Sequence, residues 1–343
     1  MTFIFLFIRV AVILFVFLGA PRILWGIVET PATEGRLSLE EPSVDLTELG
    51  GTPESGETKS NGIYKELYET GEVKRRLTYE NGLPNGHFNT YYKNGKLMGE
   101  GLYINGILEA KARSYYPNGL LKLEAHYERG VIDGAVKWFY PDGTVQRIAH
   151  YENGTLDGLL TEYRENGQPQ YERNYNHGNE DGLAKEYGPE GFLLRTAFYK
   201  NGVQQGVIRE YDESGKLNKA FDAHRGVPRG VIKEYYATGE LKSKGVLKKG
   251  RLQDGVITEY YRTGEVFREI SLKQGRREGI FREFYIDGGL KTLGYYKNNR
   301  REGIFKTYYP DGTLKNERSF QNNTKIFSKN YDTYGNLILN DDY

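Results

Sequence analysis

The sequence predicts an all-β protein: an elongated antiparallel β-meander of about eleven tandem 24-residue hairpin repeats, behind one N-terminal transmembrane helix. Three observations carry this. Glycine recurs on fixed 24-residue ladders, short strand-forming segments lie between the rungs, and a single long apolar stretch opens the chain.

The ladders come first because fixed-period self-similarity outranks any local reading of secondary structure. One runs through Gly62, Gly86, Gly134, Gly158, Gly182, Gly206 and Gly230, with Ala110 at the missing rung. One extra residue before Gly255 resets the register, and Gly279 and Gly303 continue it. A second ladder lies nine residues on, from Gly71 and Gly95 to Gly288 and Gly312. A third closes each unit, from Gly82 and Gly106 to Gly275 and then Asn299 and Asn323. Gly and Asn at fixed rungs mark backbone positions that need positive φ. Pro117-Asn118-Gly119, Pro141-Asp142-Gly143 and Pro310-Asp311-Gly312 read as turns: Pro presets φ, Asn or Asp bonds its own backbone, and Gly takes the left-handed slot.

Between turns the segments are of strand length and rich in β-formers, as in Val231 to Tyr236 and Leu290 to Tyr296. Each unit therefore reads strand, tight turn, strand, second turn. Counting from the first glycine, the sixth residue is aromatic (Tyr91, Tyr115, Phe139), the twelfth apolar (Leu97, Leu121, Val145) and the eighteenth mostly aromatic (Tyr103, Tyr127, Tyr151). Positions twelve and eighteen share a face because side chains alternate along a strand. Position sixteen is often small (Gly101, Ala125, Ala149), which leaves room for a neighbouring ring and predicts a continuous aromatic–aliphatic spine. One hairpin alone is marginal in water, so the stack must bury the spine. At ~4.8 Å between strands, the array would extend ~100 Å.

Four regions follow: 1–28 as a transmembrane anchor or signal segment, 29–61 as an acidic linker, 62–326 as the repeats, and 327–343 as a terminal half-repeat cap ending in Asp341 and Asp342. Phe3 to Leu18 is apolar except for Arg9, and apolar character resumes from Ile23 to Val28. A spanning helix needs about 20 apolar residues, so Arg9 or Arg22 must snorkel. A cleaved signal peptide is the rival, but no Lys or Arg precedes Phe3, and Leu18-Gly19-Ala20 before Pro21 is a poor cleavage junction. An uncleaved anchor is the reading favoured. The flanking charges place the repeat body outside the cytoplasm, periplasmic or on the cell surface. Residues 29–60 hold Pro31, Pro42 and Pro53 with mostly acidic charge and no periodicity, which predicts a disordered tether.

Composition excludes several function classes. With 47 basic against 46 acidic side chains there is no electrostatic footprint for nucleic acid. The absence of cysteine removes disulfides, thiolate metal sites, thiol nucleophiles and a lipid-anchoring cysteine. The Glu-Tyr pairs (Glu162-Tyr163, Glu186-Tyr187, Glu210-Tyr211, Glu234-Tyr235, Glu259-Tyr260) recur at one rung, whereas catalysis needs one unique constellation. Of the five histidines only His126 and His150 share a column, and two ligands make no metal site. The glycine spacing is not that of a nucleotide-binding loop. No cofactor and no enzymatic activity are expected.

One asymmetry does point to binding. The second turn of each unit is acidic or neutral early (Glu80, Glu109, Glu128, Asp133, Glu152, Asp157, Glu180, Asp181) and basic later. Lys248, Lys249, Arg251, Lys273, Arg276, Arg277, Lys297, Arg300 and Arg301 occupy equivalent rungs and would line up as a basic ridge for an anionic partner.

The pattern G-x-x-x-E-Y-Y-x-x-G-x-L followed by Y-x-N-G resembles the MORN-repeat-variant family, which includes bacterial YwqK-type antitoxins. Gly230 to Leu241, Gly255 to Val266 and Tyr151 to Gly154 carry it most fully, and the resemblance extends from Gly62 to about Asn323. It implies open hairpin arrays used as interaction surfaces, with no catalytic residues to carry over. The expected function is a membrane-tethered scaffold that binds another protein, a toxin in the sharpest form. The alternative is a surface module for glycan or anionic lipid, using aromatic strands and the ridge.

Overall fold

The computed structural model describes residues 59–342; the apolar segment and most of the acidic linker lie outside them. The described residues form one sheet of 29 strands and no helix, and every pairing in it is antiparallel between segments that follow one another along the chain; where a short strand such as Val131–Ile132 precedes Gly134–Phe139, both pair with the same strand before them. Leu83–Tyr91 and Leu97–Ile104 make a representative hairpin. Its middle turn is closed by Gly95 N–H donating to the Tyr92 carbonyl (2.8 Å) and Tyr92 N–H donating to the Lys96 carbonyl (2.9 Å). This is a type I turn followed by a left-handed glycine. The link to the next unit is a two-residue type I′ turn, with both central residues at positive φ, as at Asn81 (51°) and Gly82 (79°).

The first slot of that closing turn is Asn in most units, but Arg129, His177, Arg225, Lys249 and Gln274 adopt the same positive φ. A long side chain there pays a left-handed penalty of roughly 1–2 kcal/mol that Asn largely avoids. Arg225→Asn is therefore expected to stabilise the array by about 1 kcal/mol or less. Thermal denaturation checks this; a melting temperature that falls would contradict it.

Two features differ from the sequence reading. The first glycine ladder does not sit at turns but inside strands, at a β-bulge. Leu77 pairs with Phe88 and Tyr79 with Pro84, so Asn85, Gly86 and His87 together face Thr78. Gly86 takes φ 121° there, and Ala110 holds φ 59° at the equivalent rung. In some units the bulge splits the strand, as into Val131–Ile132 and Gly134–Phe139. The second difference is at the end: Thr324–Tyr331 and Leu337–Asp342 are both present and paired, so the terminal stretch forms both strands of a hairpin. Asp332 allows this by accepting from Tyr334 N–H and Asn336 N–H across the turn.

The core lies on one face of the sheet, called inward here. Position eighteen belongs to it (Tyr79, Tyr127, Leu247, Leu272, Phe320), as does position sixteen. The third column is position three (Phe88, Val136, Leu160, Ile208, Phe281, Phe305), which sequence periodicity did not single out. Positions three and sixteen are direct cross-strand partners, and their volumes compensate: Phe88 faces Gly101, Ile232 faces Gly245, and Phe281 faces Gly294. A Cβ at Gly101 would lie 2.5 Å from a Phe88 ring carbon, so the small residue does make room for a ring. At the C-terminal end Phe281, Tyr296, Phe305 and Phe320 form an edge-to-face chain with centroids 5.3–5.7 Å apart.

The spine is not continuous. Most buried hydrophobic residues fall into three clusters, spanning Leu77 to Val136, Ala197 to Leu247, and Ile270 to Phe320, with Ala149 and Leu160 standing between the first two. Leu252 packs against both of the last two. Between the first and second lies Pro169–Asn176, with no fully buried residue. There Arg173 occupies the small-residue slot, 3.6 Å from Glu180.

Candidate binding surface

Residues two apart along a strand share a face, which orders the outward surface into rows that run across the strands. Position two supplies an apolar row: Leu159, Leu183, Val207, Val231, Val256, Ile280 and Ile304, each 39–48% exposed. Val246 and Tyr295, directly opposite Val231 and Ile280, widen it. Seven successive rungs of solvent-facing aliphatic residues exceed the scattered singles normal for a surface.

The predicted ridge residues divide into three groups. Lys248 pairs with Arg251, Lys273 with Arg276, and Lys297 with Arg300, each across a closing turn. All six are exposed, and none is ion-paired with a described carboxylate. They stand two residues beyond Val246, Ser271 and Tyr295, so the basic row borders the apolar row on the same face. Lys249 sits at a turn tip with φ 53°. Arg277 and Arg301 are on the other face: their guanidinium groups lie 5.5 Å and 4.0 Å from the Tyr296 and Phe320 ring centroids. They cover the aromatic chain and do not belong to the outward row. Like charges directly opposite one another destabilise a sheet. Three such pairs in succession are therefore a cost to the fold.

The acidic half of the expected asymmetry has another use. Glu109, Asp133, Asp157 and Asp181 accept from the backbone N–H of Arg129, Asn153, His177 and Asn201, the first residue of the next closing turn, at 2.9–3.4 Å. Asp254, Glu278 and Glu302 do the same inside the basic half. This carboxylate column staples each turn to the next; among the described residues Asn61 does the same with its amide oxygen (2.7 Å from Asn81 N), and Asn85, Gln205 and Arg229 hold the slot in the remaining units. A matching staple holds the middle turns. The second Tyr of the E-Y-Y pattern donates its hydroxyl to a carbonyl of the following unit, from Tyr68 to Tyr91 (2.7 Å) through Tyr309 to Tyr331 (3.0 Å). Arg164 substitutes with a 2.9 Å bond, whereas Gly188 and Asp212 interrupt the ladder. Its sequence signal was the Tyr-Tyr doublet itself.

The recurring glutamates are also structural. Glu162 binds Arg147 (2.6 Å), Glu259 binds Arg268 (2.7 Å), and Glu234 accepts from Ser243 Oγ (3.1 Å). His126 and His150 are exposed, and His150 Nδ1 is 3.0 Å from the Leu159 carbonyl oxygen. Among the described residues no group of three or more His, Asp or Glu is placed to hold a metal ion.

The MORN repeat variant family model matches residues 60–81, 84–105, 108–129, 132–153, 156–177, 228–249 and 301–322. The intervening segments 178–227 and 250–300 carry the same hairpin geometry. No curated protein matches the chain. Among solved structures, the TcdB2–TccC3–TEV crystal structure is 14% identical over 78% of this chain and 15% of that one, with a TM-score of 0.16. The Photorhabdus luminescens Tc holotoxin pore is 14% identical over 82% of this chain and 18% of that one, with a TM-score of 0.14. The chain thus spans less than a fifth of the length of either structure. TM-scores this low do not establish a shared fold.

Proposed function

This chain is an array of MORN-variant repeats, and on that premise we propose that it is a non-catalytic, membrane-tethered scaffold whose outward face binds a partner protein. The observation that carries the reading is the pairing of an exposed aliphatic row with six uncompensated cations on one face. Apolar area supplies affinity, and the flanking charge supplies orientation and rate. In its sharpest form the partner is a toxin held in a neutralised state. The apolar segment at 3–28 is the tether, and the repeat body stands outside the cytoplasm. Glycan or anionic lipid is the weaker alternative. Its stacking platforms would be the strand tyrosines, yet those of the staple ladder have their hydroxyls tied to backbone carbonyls.

The test is to replace Lys248, Arg251, Lys273, Arg276, Lys297 and Arg300 with Glu and to recover bound proteins from native membranes. Arg277 and Arg301 are left intact because they cover rings. Partner capture is expected to fall at least about tenfold and to lose its salt dependence, since each pair reversed removes charge-assisted contacts. Undiminished capture rejects the surface. Mass spectrometry of the mature N-terminus tests the tether: a protein beginning at Pro21 rejects an uncleaved anchor.

A further inference from the structure

We propose that the segment this face accepts is extended, of polyproline-II type, with an acidic side chain at every third residue. The inference rests on the binding role proposed above and names the chemistry of the partner. The cation pairs recur once per repeat, and a repeat is two strands wide, so successive pairs stand ~9.6 Å apart across the sheet. A ligand lying along this row must present anionic groups at that step. Polyproline II rises ~3.1 Å per residue with three residues per turn, which gives ~9.3 Å between equivalent side chains. Over the three rungs from Lys248 to Arg300 the accumulated mismatch stays below ~1 Å.

Other backbones fit less well. An α-helix at ~1.5 Å per residue needs between six and seven residues per rung, close to 1.8 turns, so its acidic positions drift around the helix. A β-strand turns every third residue to the opposite side, because its side chains alternate with period two. The sheet also twists, by roughly 20–25° per strand, so the row itself winds. An extended segment without internal hydrogen bonds follows such a winding at little cost.

The apolar row fixes a second position in each triplet. Val246, Val256, Ile280, Tyr295 and Ile304 lie beside the cations, one rung after another. A residue next to each acid in the ligand meets them if it is aliphatic. The third residue of the triplet faces away, where proline favours the extended form. The preferred ligand therefore reads acidic–aliphatic–proline, repeated.

The experiment measures binding of labelled peptides to the full-length chain in neutral-lipid nanodiscs. Peptides of about nine residues span three rungs at ~3.1 Å per residue. One carries Glu-Val-Pro triplets; two others have identical composition with Glu spaced by two or by four. The triplet peptide is expected to bind at least about tenfold tighter, the ratio for one well-placed charge-assisted contact. Lys273→Glu with Arg276→Glu should remove that preference, because it breaks the central rung. Equal affinity for all three peptides overturns the inference, as does a preference that survives the double substitution. Binding of anionic vesicles in place of any peptide overturns it too, in favour of a lipid surface. If the spacing preference is absent while native capture still depends on the six cations, the ligand geometry alone has failed. If the preference is present while native capture ignores the cations, the function proposed above has failed.

Discussion

Phe221→Ala is expected to lose about 3–5 kcal/mol of stability and to do so on one side of the molecule only. Phe221 is 2% exposed and is the largest side chain in the cluster with Ile208, Ala223, Ile232 and Leu247. It also occupies position sixteen, where six other units have Gly or Ala, so Ile208 opposite it is arranged around a ring. Truncation removes the transfer free energy and leaves a cavity that β-branched neighbours on a paired strand are too stiff to fill. In a stacked array each unit contacts only its neighbours, so the loss propagates through shared residues. Leu252 links this cluster to the aromatic chain beyond it, whereas Pro169–Asn176, between it and the cluster ending at Val136, holds no fully buried residue. Hydrogen exchange in Phe221→Ala should therefore quicken from about Ala197 to Phe320 and stay unchanged from Leu77 to Tyr151. Equal quickening in both halves would show that the polar segment around Arg173 transmits packing, contrary to this reading.

Raising the pH should strike the repeats that precede Phe221. Tyr103, Tyr115, Tyr127, Tyr140, Tyr175, Tyr187 and Tyr199 all have their ionisation pushed up, in each case first by burial. Tyr115, whose hydroxyl donates to Glu100 at 2.7 Å, is raised from 10.0 to about 12. Tyr127 is raised further, and its buried hydroxyl has no hydrogen-bond partner. A group with a raised folded-state pKa keeps its proton in the folded chain after the unfolded chain has released it. Its stabilisation is complete below about pH 10 and is lost as pH climbs towards 12. All seven lie between residues 103 and 199, so this stretch of the array should unfold first in alkali. Tyrosinate absorbance followed alongside circular dichroism tests this: ionisation of the buried set should coincide with loss of β signal. Every tyrosine titrating together near pH 10 with the sheet intact would refute it.

Much of the architecture is legible in the sequence. Asn-Gly at the closing rungs required two successive positive φ values, and the structure has them at Asn81-Gly82, Asn105-Gly106 and Asn153-Gly154. The Pro-Asn-Gly and Pro-Asp-Gly runs required a type I turn with a left-handed glycine, found at Gly119 and Gly143. The bulge was hidden because a glycine at positive φ serves a turn and a bulge equally, and only the pairing of Thr78 with its partner strand separates the two. The staples were hidden for a similar reason. A carboxylate such as Asp133 reads as a solvated turn charge until the turn bearing Asn153 is stacked against it.

Period, strand length, turn chemistry and the nine basic residues of the ridge belong to the sequence alone, because each is a local property of residues close in the chain. The choice of faces does not. Val231 and Ile232, or Ile280 and Phe281, are adjacent and both apolar, so alternation assigns them to opposite faces without saying which is covered. Stacking decides it: position three meets its cross-strand partner and the rings of the next unit, and position two meets water. That same choice turns Arg277 and Arg301 onto the aromatic chain and leaves Arg276 and Arg300 facing outward, because neighbouring residues of a strand point to opposite sides of the sheet.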